Sequence, residues 1–143
     1  MKIAIRVCSP QKTNMEQGFL WEIYYNPMLQ AFFKSCRKNS VPFFVLSRKY
    51  GLCDGKMRWM NYSDEEEQND EKLLSILISQ HPRNKDLHFV YWNHRPLTHT
   101  KWVKMLQKAG FQVDQARDLK ELIKKCIGGK YLSQLSMKSL VIN

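Results

Sequence analysis

The stretch VPFFVLSRKYG, residues 41–51, indicates the fold of this chain. Its first part is nearly all apolar, a composition typical of a strand that is buried on both faces of a parallel sheet. The sequence then changes directly into a basic and polar segment that begins at Ser47. Segments with strand and helix character alternate on both sides of this stretch, which is the pattern of a mostly parallel sheet.

The other strands are expected at residues 2–8, 87–92 and 111–116. Helices are expected to start at Asn26-Pro27, at the Ser63/Glu66 capping box, near Thr98 and at Asp118, the last three ending at His81-Pro82, Ala109 and Ile127. Residues 9–18 and 51–62 are expected to be loops, residues 19–25 a short helical turn, and residues 130–143 a short helix or edge strand. This order predicts an α/β fold, a three-layer sandwich with a mostly parallel four- or five-stranded sheet and helices on both faces.

Length and composition indicate a single α/β domain over residues 1–143. The chain has 43% hydrophobic and 25% charged residues, ordinary values for a globular protein, which excludes a disordered chain. No run of 18 apolar residues is present, so no membrane partner is expected. The N-terminus MKIAIRVCSP has the composition of a first strand rather than of a secretory signal, so a cytoplasmic location is expected.

The charge balance points to an anionic partner. The formal net charge is +10, and six of the thirteen acidic residues lie within residues 64–71. Such an excess attracts polyanions, so nucleic acid or a phosphate-bearing small molecule is the expected partner, with solubility as the simpler alternative. The acidic run is expected to be a solvated helix start, or else a device that repels polyanions from one face. Several lysines of residues 120–138 are expected to form a cationic face that contacts nucleic acid, with an ordinary lysine-rich surface helix as the alternative.

Polar segments follow three predicted strands at the point where each strand ends. They are residues 8–13, 47–51 and 93–95, and each contains a cation and a neutral hydrogen-bonding group. Ligands of open α/β sheets bind beyond the carboxyl ends of the strands, so these three segments, here called the rim, are expected to hold an anionic ligand. The candidate ligand-binding residues are Ser9, Lys12, Ser47, Arg48, Lys49, Tyr50, Gly51, Tyr62 and Arg95.

Each residue type suggests a role at the rim. The four cations Lys12, Arg48, Lys49 and Arg95 are expected to hold phosphate, and Ser9 and Ser47 to donate hydrogen bonds. Tyr50 and Tyr62 are expected to stack on a base, with Trp59 and Tyr62 both exposed. Gly51 is expected to adopt a positive φ or to allow close backbone approach.

Two residues are candidates for catalysis. His94 titrates near neutrality and is a candidate general acid or base, with a merely polar surface histidine as the alternative. Cys8 is a candidate nucleophile if Lys12 or Arg6 lowers its pKa, and otherwise a buried structural thiol. The four cysteines are expected to be reduced, and the histidine and cysteine spacings do not match a zinc site, so neither a metal nor a cofactor is expected.

The motifs SPQKT at residues 9–13 and LSRKYGL at residues 46–52 resemble those of the YaaA family of stress-related DNA-binding proteins and of a set of small α/β proteins. Those proteins carry SPxK or CSxxK after the first strand and LSxxYGL or LSxKYGL after the next, followed by a later Tyr, here Tyr62. The resemblance covers roughly the first 65 residues. It implies a role in DNA binding or base modification, and it points to Ser9, Lys12, Ser47, Lys49, Tyr50, Gly51 and Tyr62.

Three functions are therefore open. The first is a cytosolic protein that binds a nucleotide or nucleic acid at the rim, linked to base modification or to a stress response. The second is a nucleoside-directed transferase or hydrolase that uses the same rim. The third is a basic module that binds an acidic protein.

Overall fold

A computed structural model describes residues 1–128, and the expectation for residues 130–143 lies outside the described residues. The strands are β1 Ile3–Val7, β2 Gln17–Phe19, β3 Phe43–Ser47, β4 Gly51–Asp54, β5 Arg58–Met60, β6 His88–Trp92 and β7 Gln112–Ala116. The helices are α1 Leu20–Ile23, α2 Pro27–Lys38, α3 Asp70–Asn84, α4 Pro96–Lys108 and α5 Leu119–Ile127. None of the described helices is long and apolar enough to span a bilayer.

The main sheet has five strands in the order β4-β3-β1-β6-β7. Strand β1 pairs in parallel with β3 on one side and with β6 on the other, and β6 pairs in parallel with β7. Among the described strands of this sheet, β4 alone runs antiparallel, beside β3. The predicted α/β class and mostly parallel five-stranded sheet are therefore confirmed, and the three-layer sandwich stays a prediction.

Strands β1 and β6 are buried on both faces. Ala4 and Val90 belong to one hydrophobic cluster, which also contains apolar residues of α1, α2 and α5. Ile5 and Phe89 belong to a second cluster, which contains apolar residues of α3 and α4. Successive side chains of a strand point to opposite faces, so the nearly continuous apolar runs of β1 and β6 supply both clusters.

The helix predicted to start at Ser63 begins later. Ser63 and Glu66 do form a capping box, but it closes only a three-residue 3₁₀ turn, Asp64–Glu66, after which Glu67 is extended. The backbone N–H of Gln68 then donates to the carbonyl of Arg48, which holds this segment against the rim instead of continuing a helix. Helix α3 starts at Asp70, where the Asn69 side chain accepts a hydrogen bond from the N–H of Lys72.

Two helix ends also differ from the prediction. Helix α3 continues to Asn84 through Pro82, because proline has a helical φ and in the last turn it removes only one backbone hydrogen bond. Helix α4 starts at Pro96 rather than Thr98, since proline suits the first helical position. The starts of α2 after Asn26 and of α5 after Asp118 are confirmed, and both residues cap their helices with side-chain oxygens.

The segments predicted to be loops contain short strands. Strand β4 lies in residues 51–62 and pairs with β3, while β5 in the same segment pairs antiparallel with β2. Trp59 is half-buried and Tyr62 is buried, so the expectation that both are exposed is wrong. Tyr62 belongs to the hydrophobic cluster that contains Tyr24, and Trp59 packs against this cluster. Both contacts join parts of the chain that are distant in the sequence.

Gly51 connects β3 to β4 with a φ of +79°, as its position in the sequence predicted. A Cβ there would lie 2.5 Å from Oε1 of Gln80, which accepts a hydrogen bond from the N–H of Leu52. Gly51→Ala is therefore expected to lower the free energy of unfolding by about 1–3 kcal/mol, measured by urea denaturation.

Gln80→Ala is the matched background for this substitution, because it removes the side-chain atoms that lie closest to the added Cβ. Gly51→Ala should cost less in the Gln80→Ala background than in the parent protein, and the difference measures the Gln80 contact. Equal losses in the two backgrounds would show that Gln80 does not matter.

Candidate functional site

The rim lies at the carboxyl ends of three adjacent strands, β3, β1 and β6. Two of its segments are in contact, since the backbone of Arg48 forms a hydrogen bond with the Cys8 thiol, and the N–H of Cys8 donates to the carbonyl of Leu46, next to Ser47, at 2.9 Å. The Nζ atoms of Lys12 and Lys49 lie over the same ring, 4.5 and 5.8 Å from the centroid of Tyr62. The fold therefore brings together two cations that are 37 positions apart in the sequence.

A network of buried hydroxyl groups supports the rim from below. The Ser47 hydroxyl accepts hydrogen bonds from the N–H groups of Lys49 and Tyr50, both at 3.1 Å. It donates at 3.1 Å to the hydroxyl of Tyr62, which also shares a 2.8 Å hydrogen bond with the hydroxyl of Tyr24. Ser47 and Tyr62 therefore hold the 47–50 turn in place, which differs from the ligand contacts that the sequence predicted for them.

Cys8 lies next to this network, with its Sγ accepting a hydrogen bond from the Tyr62 hydroxyl at 3.8 Å. Burial raises the pKa of the Cys8 thiol, although the hydrogen bonds from Arg48 and Tyr62 act in the opposite direction. Burial likewise raises the pKa of the Tyr62 and Tyr24 hydroxyls. A raised pKa leaves little thiolate at neutral pH, so the surroundings of Cys8 suit a structural thiol better than a nucleophile.

Acidic residues pair with the rim cations. Residues 63–70, here called the acidic segment, cross the rim so that Asp64 contacts Lys12 at 2.8 Å and Glu66 contacts Lys49 at 3.0 Å. The hydrogen bond to Glu66 raises the pKa of Lys49. The expectation of a solvated helix start holds for Asp70 and Glu71, which lie exposed in the first turn of α3. It is wrong for Asp64 and Glu66, which lie in a 3₁₀ turn and pair with lysines from two strand ends.

The remaining ligand candidates differ in accessibility. Ser9 is buried, and its hydroxyl accepts a hydrogen bond from the N–H of Gln11 at 3.3 Å. Tyr50 is half-buried, with its ring 5.6 Å from that of Tyr62 and its hydroxyl donating to the carbonyl of Met60. Tyr50 is thus the rim aromatic with surface left for a ligand, whereas Ser9 and Tyr62 are enclosed.

Arg48 and Arg95 flank the rim on the side of α4. The guanidinium of Arg48 lies 5.5 Å from the ring centroid of Trp102 and 4.0 Å from a carboxylate oxygen of Asp70. Arg95 is exposed and occupies the N-cap position of α4 without a side-chain capping bond. Its guanidinium is therefore not used by the helix start that it precedes.

His94 belongs to a group of side chains at the end of β6. Its ring lies 4.7 Å from Trp92 and 4.9 Å from His99, measured between centroids. Burial, together with the nearby guanidinium of Arg6, lowers the pKa of both His94 and His99 to about 4. Both imidazoles are therefore neutral at physiological pH.

Arg6 also belongs to this group, although it was not predicted from the sequence to bind a ligand. It lies in β1 and is 7% exposed, with its guanidinium 5.5 Å from the ring centroid of Trp92. One signal for it was present in the sequence, because a cation inside the apolar run IAIRV is unusual for a buried strand. The local sequence pattern did not reveal which side chains would surround Arg6.

Comparisons with protein-family models, with curated proteins and with solved structures give no match. The resemblance to the YaaA family therefore rests on the two motifs and Tyr62. Within residues 1–128, no three His, Cys, Asp or Glu side chains lie close enough together to hold a metal ion. The evidence for a function is therefore the geometry of the rim.

Proposed function

We propose that this protein binds the phosphate groups of a nucleotide or nucleic acid at the rim. The observation that carries the proposal is the meeting of Lys12 and Lys49 over one buried ring at the carboxyl ends of adjacent parallel strands. Ligands bind at this edge in open α/β sheets, and paired cations there favour an anion. The YaaA-like motifs support the same residues and a link to nucleic acids.

The residues at the rim would bind the ligand in two ways, by ionic contacts to phosphate and by stacking on a base. Lys12 and Lys49 would contact phosphate once a ligand displaces Asp64 and Glu66, and the exposed Arg95 would add a third cation. Tyr50 is the proposed stacking residue, because it keeps exposed surface, and stacking on an aromatic side chain is worth about 1–3 kcal/mol per base.

The proposal also covers the location of the protein and the layer arrangement of its fold. We place it in the cytosol, which its four free, buried cysteines support because disulfides are rare in reducing compartments. We also propose the three-layer sandwich, which is supported by the two hydrophobic clusters and the different helices that supply them.

Salt titration of oligonucleotide binding tests the proposed function. A fluorescein-labelled oligothymidylate is expected to bind at low salt, with an affinity that falls steeply as salt rises. The double variant Lys12→Gln, Lys49→Gln should bind at least about tenfold more weakly and flatten the slope by about 1.4, since each phosphate contact on a single strand contributes about 0.7.

The matched control is Lys120→Gln, Lys124→Gln, which removes two exposed positive charges from α5. This control should retain most of the affinity if the rim is the site. Equal losses in the two double variants would place binding on the general basic surface. Failure to bind at low salt would discard the proposal and favour a basic protein-interaction module.

A further inference from the structure

Arg6 is a buried cation that has no counter-ion in the part of the chain that the structure describes. Its Nε and Nη1 atoms are enclosed and have no hydrogen-bond partner, and no carboxylate of residues 1–128 forms an ion pair with it. A guanidinium remains charged under ordinary conditions, and leaving a buried charge unpaired costs several kcal/mol. Its contact with the Trp92 ring compensates only part of this cost.

The groups around Arg6 also favour an anion. The charged and titratable groups near it are Tyr91, Cys8, Arg95, His94 and His99. None of them carries a negative charge at neutral pH, because burial raises the pKa values of Tyr91 and Cys8. Nδ1 of His94 is likewise enclosed and has no hydrogen-bond partner among residues 1–128. This part of the rim therefore has positive charge and unused hydrogen-bonding groups.

The other rim cations differ from Arg6 in this respect. Lys12 and Lys49 each have a carboxylate of the acidic segment within 3.0 Å, and Arg48 has Asp70 at 4.0 Å. An anionic ligand must compete with those carboxylates. At Arg6 it would instead supply the counter-ion that the described chain lacks.

We propose that Arg6, together with His94 and Arg95, forms a subsite for a single terminal phosphate, the phosphate monoester of a mononucleotide or of a nucleic-acid end. The inference rests on the proposed function of the rim and specifies its ligand. Arg6 is the penultimate residue of β1, and it is only 7% exposed. Such depth suits the end of a ligand better than an internal phosphodiester, which is flanked by sugars on both sides.

The charge of a monoester supports the same conclusion. A terminal phosphate carries about −1.5 to −2 charges at neutral pH and three terminal oxygens, against one charge and two terminal oxygens for an internal phosphodiester. Charge-assisted hydrogen bonds to a guanidinium are among the strongest in proteins. The unpaired nitrogens of Arg6 can therefore distinguish the two groups.

The test compares one oligonucleotide in three forms, with a 5′-phosphate, with a 3′-phosphate and with neither, each carrying the same internal fluorescein. One of the phosphorylated forms is expected to bind about tenfold more tightly than the unphosphorylated form. Nucleoside monophosphate and inorganic phosphate should compete for that preference. In Arg6→Met the preference should disappear while the unphosphorylated form keeps its affinity within about twofold. Arg117→Gln, which removes an exposed arginine, should change neither.

The stability of Arg6→Met towards urea provides a second readout. If Arg6 served only to stabilise the fold, the substitution would lower this stability. Arg6→Met is expected to unfold at an equal or higher urea concentration than the parent protein, because it removes an unpaired buried charge. Marked destabilisation would overturn the inference, as would equal affinity of the parent protein for all three oligonucleotides. If none of the three binds, the proposed function of the rim fails as well, so the two failures are distinguishable.

Discussion

The double variant Asp64→Asn, Glu66→Gln is expected to bind a single-stranded oligonucleotide about five- to tenfold more tightly than the parent protein at low salt. Both carboxylates pair with rim lysines that the proposal assigns to phosphate. The Lys12 side chain is only 7% exposed, but its partner Asp64 and the Lys49–Glu66 pair are open to solvent. An exposed ion pair is typically worth about 0.2–1 kcal/mol, and the ligand must break both pairs. Fluorescence anisotropy of a labelled oligothymidylate measures the change.

The substitutions are chosen to keep the fold of the acidic segment. Glu66 accepts a hydrogen bond from the N–H of Ser63, and glutamine can accept the same bond. Asparagine replaces Asp64 with little change of size. The acidic segment should therefore keep its 3₁₀ turn while losing its charge.

Glu65→Gln, Glu71→Gln is the matched control, because it removes the same charge from two exposed acids for which no ion pair with a rim cation is formed in residues 1–128. If the control tightens binding as much as the test variant, general electrostatics rather than competition for Lys12 and Lys49 explains the gain. The gain should also shrink as salt rises, since salt screens exposed charges.

Tyr62→Phe is expected to lower the free energy of unfolding by about 2–3 kcal/mol, the second large effect. The substitution removes one hydroxyl and leaves the hydroxyls of Ser47 and Tyr24 without this partner in a buried place. A buried polar group that loses its partner costs about 1–3 kcal/mol. Urea denaturation of the two proteins measures the difference.

Tyr50→Phe is the matched control, since it removes an equivalent hydroxyl from the neighbouring ring. That hydroxyl donates to the carbonyl of Met60 at an exposed position, where water can replace it. The control should cost less than about 1 kcal/mol. Equal losses in Tyr62→Phe and Tyr50→Phe would mean that the buried hydroxyl network does not stabilise the rim.

The main sheet was largely predictable because its signals are local. The predicted strands at residues 2–8, 41–47, 87–92 and 111–116 match β1, β3, β6 and β7 within two residues at each end. Apolar runs of this length and composition indicate buried strands wherever they occur. Helix starts with a capping side chain, at Asn26 and Asp118, were predictable for the same reason.

The short strands were not predictable, because each depends on a partner far away in the sequence. Strand β5 exists through its pairing with β2, about 40 positions earlier. The Ser63/Glu66 capping box misled the prediction, since it is a correct local signal that closes only one turn. What ends that turn is the hydrogen bond from Gln68 to Arg48, which no local pattern encodes.

The rim illustrates the same limit at the level of side chains. The rule for open α/β sheets correctly placed residues 8–13, 47–51 and 93–95 at one edge. It did not show that Tyr62 is buried beneath Lys12, or that Asp64 reaches Lys12. Burial and ion pairing depend on the packing of the whole chain. The residue types therefore suggested the kind of ligand, whereas the structure was needed to distinguish side chains that can contact the ligand from side chains that hold the rim in place.

Nuclear magnetic resonance of the ¹⁵N-labelled protein, titrated with oligothymidylate at low salt, locates the binding surface residue by residue. Phosphate binding at the rim predicts that the amide shifts concentrate in residues 8–13, 47–51 and 93–95. Shifts confined to Lys120, Lys124 and their neighbours on α5, with the three rim segments unchanged, would contradict a phosphate site at the carboxyl edge of this sheet.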